Sequence, residues 1–530
     1  MKKKRTIKLW VIAAAMLAFM LLPFGMLYSA ELAKNQVARL AMDVGDIETV
    51  DPHFATKIGE VPIVRMVYES LLRHPPGEID IERLEPSLAE KWNVAADKLT
   101  WTFQLRKGVK WHENYGDFTA DDVKFSIDRL MDEKVGSPFR KNLDFIATVT
   151  VIDPLTIQIK TKEPVPDLPA IMINNQAGFV VSRKALEKLG KDIKFHPIGT
   201  GPFQYNAYQP RESFTLTANE GYWRGKPILK KVVVAFMPDA STRELALRGG
   251  EVDAINIPAK QEWIDRLGKA GFDVNLTAPS NTFALYFNLT KKPLDNIKVR
   301  RALSHAINRN ELIAYLGKDV AKIEISPLPA GYVGHTDDVA RYDYDPKKAA
   351  QLLAEAGLAK GFELSMNISN SNIYLPPMQV IQEHWKKIGV DLKLNVVDHS
   401  TYHKLIREDT NPVVIYGAYR YPLTGNIYLT QFYHSDSIVG KSSAIINFSH
   451  YGEALPGVDK YIDDARYEID VAKQKALWGK AQKQIMEDAV AYPLFTQYYA
   501  MAKSKSFDLG FEQKSWSFYD PGETSRILKP

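Results

Sequence analysis

Histidines are the side chains of this sequence best suited to hold a metal ion, because the chain of 530 residues contains 11 of them and no cysteine. His399 and His403 have the i, i+4 spacing that places two imidazoles on one face of a helix. A zinc site needs a third protein ligand, and the segment HSTYH around the pair supplies none. An exposed or internally bonded pair is therefore favoured, and the sequence predicts no metal site and no cofactor.

Paired carboxylates are a second candidate, since glycosidases place two of them across a cleft. Three adjacent pairs occur in the sequence: Asp121 and Asp122, Asp337 and Asp338, and Asp463 and Asp464. Adjacent side chains on a helix or loop point apart, so we expect these acids on the solvated surface. The sequence also lacks a Gly-x-Ser-x-Gly elbow and a His-Glu-x-x-His motif. It therefore predicts that the protein is not an enzyme.

The glycine-containing segment IGTGPFQYNAYQP (Ile198 to Pro210) could be mistaken for a phosphate-binding loop. A P-loop ends in Gly-Lys-Ser/Thr, but here Gly201 is followed by Pro202, which has no N–H to offer a phosphate. A Rossmann turn needs a third glycine at the start of a helix, whereas FQYNAYQP alternates like a strand. The pattern excludes a nucleotide site of either kind.

Charge and length limit the function classes further. Five of the 68 Lys and Arg residues lie in the first 30 positions, which carry no acid, so the rest of the chain has 63 basic and 63 acidic residues. The body is therefore neutral, and nucleic-acid binding loses its main support. A chain of this length is too long for one hydrophobic core, and we expect two or three domains.

The N-terminal segment resembles an export signal in its layout. A basic start is followed by an apolar run from Leu9 to Leu22, a break at Pro23–Gly25 and a small Ala30. Signal peptides prefer a small residue three positions before the cleavage point, but a cut after Ala30 would place Tyr28 there. If the segment is not cleaved, Leu9–Tyr28 is about long enough to span a bilayer. We expect residues 1–30 to be a signal peptide or an uncleaved anchor. The absence of cysteine excludes a lipid anchor and any disulfide.

Several local patterns in the first half predict specific elements. LTWTFQL (Leu99 to Leu105) alternates apolar and polar residues like a half-buried strand, and a hairpin is expected to turn at Asp153–Pro154. Thr119 with Asp122 resembles a capping box that begins a helix. Asp345 before a proline has the pattern of another helix start.

The later half alternates strand and helix patterns, which predicts a mainly parallel sheet covered by helices. The strand patterns are FELSMNIS, VDLKLNVV and PVVIYGAY, and helices are expected at Met378 to Ile388 and at STYHKLIRED. Ligands of such sheets bind beyond the carboxyl ends of strands. Two loops satisfy this rule: DVGDIETVDPHFAT after VARLAM, and YRYPLTGN after VVIYGA.

Nine segments in a characteristic order resemble the extracytoplasmic solute-binding proteins of ABC transporters, in the dipeptide, oligopeptide and nickel group. They are VYESLLRH, LEPSLAEKW, LTWTFQLRKGVKWHENYGDFTADDVKFSIDRL, IGTGPF, NEGYWRGKP, LRGGEVDA, FNLTKKPLDNIKVRRALSHAINRNELI, YDYDPKKAAQLLAEAG and YPLFTQY. Each is weak alone, but together they span nearly the whole exported chain. In this resemblance IGTGPF is the turn by which the chain returns to its first lobe, with glycines needed for the backbone path.

The resemblance implies a periplasmic-binding-protein-like α/β fold with two lobes, a hinge and an extra domain on the first lobe. Lobe I is then expected at 31–70, 190–285 and 505–530. The extra domain is expected at 71–189, and lobe II (domain III) at 286–504.

The resemblance also implies ligand-binding residues in the first lobe. His53 and Phe54 match a loop that lies against ligands in relatives, and Thr49 and Asp51 flank the cleft side in the same comparison. The alternative is that Asp51 and its proline only shape the turn.

In the second lobe, Tyr419, Arg420 and Tyr421 match another ligand-contacting loop. The family commonly has an aspartate before Tyr-Pro, and in peptide binders that acid holds the α-ammonium group. Here Arg420 stands at the acid's position, which puts a standard dipeptide ligand in doubt. We expect Arg420 to bind an anionic or hydrogen-bond-accepting group; the alternative is that it pairs with an internal acid.

The function implied by the resemblance is a receptor, in the periplasm or at the outer face of the cytoplasmic membrane, that closes on a peptide or other small solute. Its expected partners are that ligand and an ABC permease, with no nucleic acid, and the protein is expected to be a monomer. The alternatives are an exported hydrolase of oligosaccharides or peptides and a chaperone-like peptide holder.

Overall fold

A computed structural model describes residues 31–57, 59–173, 176–441, 446–515 and 518–529. The predicted signal segment, residues 1–30, lies outside the described residues. Within them, every helix is too short or too polar to cross a membrane.

The described chain contains both strands and helices. The strands are β1 Val37–Met42, β2 Leu72–Arg73, β3 Glu85–Pro86, β4 Ala89–Val94, β5 Thr100–Leu105, β6 Ile146–Asp153, β7 Thr156–Thr161, β8 Phe203–Gln209, β9 Ser213–Ala218, β10 Lys231–Phe236, β11 Ala254–Ile257, β12 Asp273–Phe287, β13 Ala321–Ile323, β14 Phe362–Ser369, β15 Val390–Val397, β16 Val413–Ala418, β17 Ala491–Lys503, β18 Phe507–Asp508 and β19 Arg526–Ile527. The α-helices are Val61–Val67, Ala120–Met131, Leu168–Ile171, Arg183–Leu189, Ala240–Arg248, Gln261–Lys269, Ile297–His305, Arg309–Leu316, Pro346–Glu355, Leu375–Lys386, His399–Arg407, Gly425–Tyr433, Val458–Tyr467 and Val471–Glu487. Short 3-10 turns occur at His112–Asn114, Arg140–Leu143, Gln176–Gly178, Gly190–Lys194 and Ser435–Ser437.

A mixed nine-stranded sheet runs through both lobes in the order β16-β12-β17-β11-β1-β10-β9-β8, with β13 paired to β17. β12 and β17 are its longest strands and pair from Asp273 opposite Lys503 to Tyr286 opposite Ala491. One end of β12 packs near Trp263 in the first lobe, and the other end lies in the core of the second lobe. These two strands therefore connect the lobes.

Separate apolar cores mark the two lobes and the inserted domain. The core of the inserted domain draws on residues from 71 to 198, and that of the second lobe mainly on residues from 283 to 495. The first-lobe core combines residues near both chain ends with the segments around β8 to β11. The fold is thus α/β with two lobes and an extra domain, while the domain limits given above stay predictions.

The local predictions in the inserted domain are confirmed. β5 is the alternating strand, and β6 and β7 form the hairpin about Asp153–Pro154. The helix Ala120–Met131 begins at Thr119 with a capping box completed by Asp122. Outside the inserted domain, Asp345 caps the helix Pro346–Glu355 by accepting from the N–H of Lys348, as predicted.

The prediction of a mainly parallel sheet in the later half is wrong. β14 and β15 are parallel, but they form a separate two-stranded sheet. β16 instead pairs antiparallel with β12. The long strand β12 enters the second lobe from the first and offers β16 an edge that the local sequence pattern does not reveal.

The glycines of IGTGPF serve the backbone path, as predicted. The N–H of Gly201 donates to the carbonyl of Val67 at 2.9 Å. A Cβ on Gly201 would lie 2.7 Å from that oxygen, and one on Gly199 would overlap it. Only glycine permits this approach of two backbone segments.

Candidate ligand-binding cleft

A cavity of about 1030 Å³ lies between the two lobes. β12 and β17 contribute Asn281 and residues 497–500 to its wall. The first lobe adds Asp43, just after β1, and residues 256–262, which end β11 and begin the next helix. The second lobe adds the end of the helix Arg309–Leu316 and residues that follow β14. The site is therefore built largely from segments beyond strand ends, as the general rule for α/β sheets anticipates.

Carboxamides are the most numerous polar side chains of the lining. Five carboxamide side chains reach the cavity: Asn256, Gln261, Asn281, Asn372 and Gln497. Its aromatic side chains are Tyr315, Tyr498, Tyr499 and Phe518. Its charged side chains are Asp43, Lys260, Glu262 and Lys318, two of each sign. A carboxamide both donates and accepts hydrogen bonds, so this surface suits hydroxyl and amide groups. These residues come from seven separate segments, and no single sequence pattern brings them together.

Asn256 stands out among the carboxamides. Its Oδ1 is buried and has no hydrogen-bond partner within the described part of the chain. An unpaired buried acceptor costs about 1–3 kcal/mol, so such an atom beside a cavity is a candidate for pairing with a ligand.

The backbone of Arg420 is held rigidly just after β16. Its N–H donates to the hydroxyl of Tyr332 at 2.7 Å, and that hydroxyl donates to the carbonyl of Arg420 at 2.9 Å. Tyr332 is itself buried. The start of the Arg420 side chain is therefore fixed in position.

The guanidinium of Arg420 is held by neutral groups. Nε donates to Oε1 of Gln431 at 2.5 Å, and Nη1 donates to the carbonyl of Tyr419 at 2.8 Å. The ring of Phe432 lies 5.4 Å from Cζ. In the ranges that the structure covers, no carboxylate forms an ion pair with Arg420, so the predicted alternative of an internal acid is not observed there.

The charge of Arg420 acts close to the cavity. Ile373 lines the cavity, and the next residue, Tyr374, is buried. Burial raises the pKa of the Tyr374 phenol to about 12, while the N–H of Gly417 and the positive charge of Arg420 oppose that rise. The N–H of Gly417, three residues before Arg420, donates to the Tyr374 hydroxyl at 3.3 Å, so the loop that carries Arg420 lies near the second-lobe wall, although Arg420 is not itself in the cavity lining.

Tyr419 and Tyr421 flank Arg420 but differ in their surroundings. The Tyr419 hydroxyl is buried without a partner among the described residues, and burial raises its pKa well above the usual value. The Tyr421 hydroxyl lies 2.7 Å from Nε2 of His74 in the inserted domain. Tyr421 thus links the second lobe to the inserted domain rather than lining the cavity.

The four residues predicted in the first lobe have internal partners. Asp51 accepts from Nη1 and Nη2 of Arg129 at 3.1 and 2.5 Å, and Phe54 lies under the same guanidinium. Arg129 also lies 2.8 Å from Nδ1 of His53, whose Nε2 bonds the carbonyl of Phe179. Burial lowers the pKa of His53 to about 4, so the ring is neutral.

Thr49 belongs to the same internal network, because its hydroxyl accepts from the N–H of Asp51 at 3.0 Å. These contacts fasten the helix Ala120–Met131 of the inserted domain onto the first lobe. Thr49, Asp51, His53 and Phe54 do not line the cavity described above. Their placement does not support the ligand role expected from the sequence.

Residues 83–439 match the profile of bacterial extracellular solute-binding proteins, family 5 Middle. The dipeptide-binding protein of Escherichia coli (strain K12) is 34% identical over 367 residues, covering 63% of this chain and 67% of that protein. Di/tripeptide-binding protein 1 of Pseudomonas aeruginosa (strain UCBPP-PA14) is 30% identical over 458 residues, covering 79% and 82%.

Solved structures are similar along nearly the whole chain. The solute-binding protein MoaA of A. tumefacien R10, in complex with mannopinic acid, has 37% sequence identity and a TM-score of 0.76. The match covers 93% of this chain and 100% of that one. HbpA2 of Haemophilus parasuis reaches a TM-score of 0.83 at 24% identity and shows the fold alone.

Proposed function

The chain belongs to the bacterial extracellular solute-binding proteins of family 5, and from that premise we propose that it binds an anionic, polyhydroxylated solute. As a family member the protein is a solute-binding protein of an ABC importer. Its ligand is held in the cavity between the lobes and passed to the permease without chemical change.

The observation that carries this proposal is the unneutralised charge of Arg420, and the proposal requires the guanidinium to turn from Gln431 toward the cavity when the ligand binds. Arg420 is half-buried, and its guanidinium is bonded to a side-chain amide and a backbone carbonyl. A partly desolvated cation without a carboxylate partner favours an anion from outside the chain. The planar fork of arginine suits a carboxylate, which it binds by two parallel hydrogen bonds.

The carboxamide lining supports the polyhydroxylated part of the ligand. Each hydroxyl is both a donor and an acceptor, and so is each carboxamide that faces the cavity. Tyr315 is 57% exposed at the cavity and offers an aromatic face to an apolar or C–H surface. The 37% identity with a protein bound to mannopinic acid points to the same ligand class.

A dipeptide is the second candidate, favoured by the identity with dipeptide-binding relatives. A free peptide brings an α-ammonium group, and Arg420 occupies the position where the family's peptide binders commonly have an acid. A cation there repels an ammonium group instead of holding it. The charge therefore favours an acid over a peptide.

Binding is coupled to a change in the angle between the lobes. β12 and β17 connect the lobes, and the cavity opens between them. A ligand that contacts both lobes stabilises the closed form by its extra contacts there. Closure also excludes water, which strengthens the pairing between Arg420 and an anion.

The exported protein acts as a monomer without catalytic activity, in the periplasm or at the outer face of the membrane. The layout of residues 1–30 supports export.

Calorimetry on the purified exported protein tests the ligand class. Mannopinic acid is compared with a dipeptide panel, glutathione and a neutral sugar alcohol, and the recovered ligand is analysed by mass spectrometry. We expect stoichiometric binding of the hydroxylated acid, with the ligand returned intact. Tight binding of dipeptides alone would contradict the proposal, and sustained release of a product would favour the hydrolase alternative.

A further inference from the structure

The histidine pair His399 and His403 follows the carboxyl end of β15, on the first two turns of the helix His399–Arg407. Asp398 caps this helix by accepting from the N–H of Thr401 at 3.0 Å. The neighbouring strand β14 ends at Ser369, and Asn372 shortly after it lines the inter-lobe cavity. The pair therefore lies on the second lobe, close to the cavity wall.

The Nε2 atoms of the two imidazoles lie 3.2 Å apart and share a hydrogen bond. The ring planes are nearly perpendicular, at 87°, with centroids 4.5 Å apart. If a metal ion lies about 2.05 Å from each Nε2 atom, the 3.2 Å between these atoms corresponds to an N–metal–N angle of about 100°. That angle lies between the values of octahedral and tetrahedral coordination, so the pair is spaced like a bidentate ligand.

The surroundings orient both rings for this arrangement. Nδ1 of His399 lies 2.9 Å from the hydroxyl of Ser369, which also accepts from the N–H of Ser371 at 3.1 Å. With its proton on Nδ1, His399 presents the lone pair of Nε2 to His403. A metal-ligating histidine usually makes a hydrogen bond through the ring nitrogen that does not bind the metal, and this bond fixes the orientation of the ring.

The second ring has one usable nitrogen. Nδ1 of His403 is buried and lacks a partner in the part of the chain described. The rings of Tyr374 and Tyr416 lie 6.3 and 5.6 Å from that of His403 and enclose its inner side. His403 therefore directs Nε2 toward His399 and the solvent.

We propose that Nε2 of His399 and Nε2 of His403 together bind one divalent transition-metal ion of the Cu²⁺, Ni²⁺ or Zn²⁺ class, and that the proton they share moves to Nδ1 of His403. Imidazole suits these ions, and their affinity for such a site follows the order Ni²⁺ < Cu²⁺ > Zn²⁺. Among the residues that the structure covers, no group of three or more histidine, aspartate or glutamate side chains could hold a metal ion. The remaining coordination positions are thus open to water or to a chelating solute.

Titration of the exported protein with Ni²⁺ and Cu²⁺ tests the site. We expect one equivalent to bind, and we expect His399→Ala and His403→Ala each to lower affinity by at least about tenfold, because one imidazole remains. Ser369→Ala should lower affinity by about tenfold through the loss of ring orientation. His196→Ala is the matched control, since that histidine bonds Glu113 and has no histidine partner, and it should leave binding unchanged.

Electron paramagnetic resonance of the Cu²⁺ form provides a second readout that does not depend on affinity. Coupling to two imidazole nitrogens in the wild type and to one in each single variant supports the site. The double variant His399→Ala/His403→Ala should lose the imidazole coupling while keeping its circular dichroism spectrum. Equal binding by wild type and the double variant, or coupling to one nitrogen in the wild type, overturns the proposal.

Discussion

Replacing Gln431 by glutamate tests the role of Arg420 with almost no change of shape. Gln431 accepts from Nε of Arg420 at 2.5 Å. In Gln431→Glu the same oxygen belongs to a carboxylate, which neutralises the guanidinium. An anionic ligand must then compete with an internal anion for the same cation, so its affinity should fall.

The size of the effect follows from the surroundings of Arg420. Two unit charges 4 Å apart interact by about 4 kcal/mol at an effective dielectric constant of 20, whereas fully exposed pairs contribute about 0–1 kcal/mol. Because Arg420 is half-buried, we expect the new pair to weaken anion binding by about 1–3 kcal/mol. This corresponds to roughly 5-fold to 150-fold in Kd.

Calorimetry with mannopinic acid measures this change, and thermal unfolding provides the control for folding. The new ion pair should leave Tm equal to that of wild type or slightly higher. In an Arg420→Ala background, adding Gln431→Glu should no longer weaken binding through this pair. If Gln431→Glu folds normally and binds mannopinic acid within twofold of wild type, Arg420 does not hold the anion.

Three further predictions concern Arg420, a buried histidine and a glycine. Arg420→Ala should weaken binding of the anionic ligand by roughly 30-fold or more, because breaking a desolvated charge pair costs about 2–5 kcal/mol. Arg420→Lys should recover only part of the lost affinity. If calorimetry shows no loss of affinity in Arg420→Ala, Arg420 has a structural role only. His112 accepts from the N–H of Gly199 through Nδ1 and bonds the carbonyl of Gly201 through Nε2, and burial lowers its pKa to about 4. Its neutral form therefore contributes stability that is present above the ordinary pKa of about 6.5 and is lost as pH falls toward 4. Denaturant unfolding at pH 7 and pH 4.5 should show a smaller loss for His112→Gln than for wild type, and an equal loss would contradict this assignment. Gly201→Ala should lower Tm clearly, because its Cβ would lie 2.7 Å from the carbonyl oxygen of Val67, whereas Gly479→Ala, at an open position on a helix, should not.

Local patterns in the sequence were sufficient for elements whose stabilising contacts lie within a few residues. The capping box of Thr119 and Asp122, the cap at Asp345 and the hairpin about Asp153–Pro154 each depend on neighbours along the chain. The order of nine family-like segments likewise sufficed for the fold and for membership of the family. These features need no knowledge of distant partners.

Only the tertiary structure decided which strands and side chains meet across long sequence separations. β16 pairs with β12, about 130 residues earlier, and this changed the expected parallel sheet into an antiparallel edge. Asp51 and His53 carry side chains that could bind a ligand, but both form hydrogen bonds with Arg129, more than 70 residues later in the chain.

The cleft itself is a product of long-range contacts. Its carboxamides come from segments as far apart as Asn256 and Gln497, and of the five only Gln497 lies in a segment, YPLFTQY, that the sequence pattern singles out. Even Gln431, eleven residues after Arg420, becomes its partner only because the helix Gly425–Tyr433 folds back on the loop after β16. A one-dimensional pattern records residue types and short spacings, whereas a binding site depends on which side chains the packed lobes bring within hydrogen-bond distance.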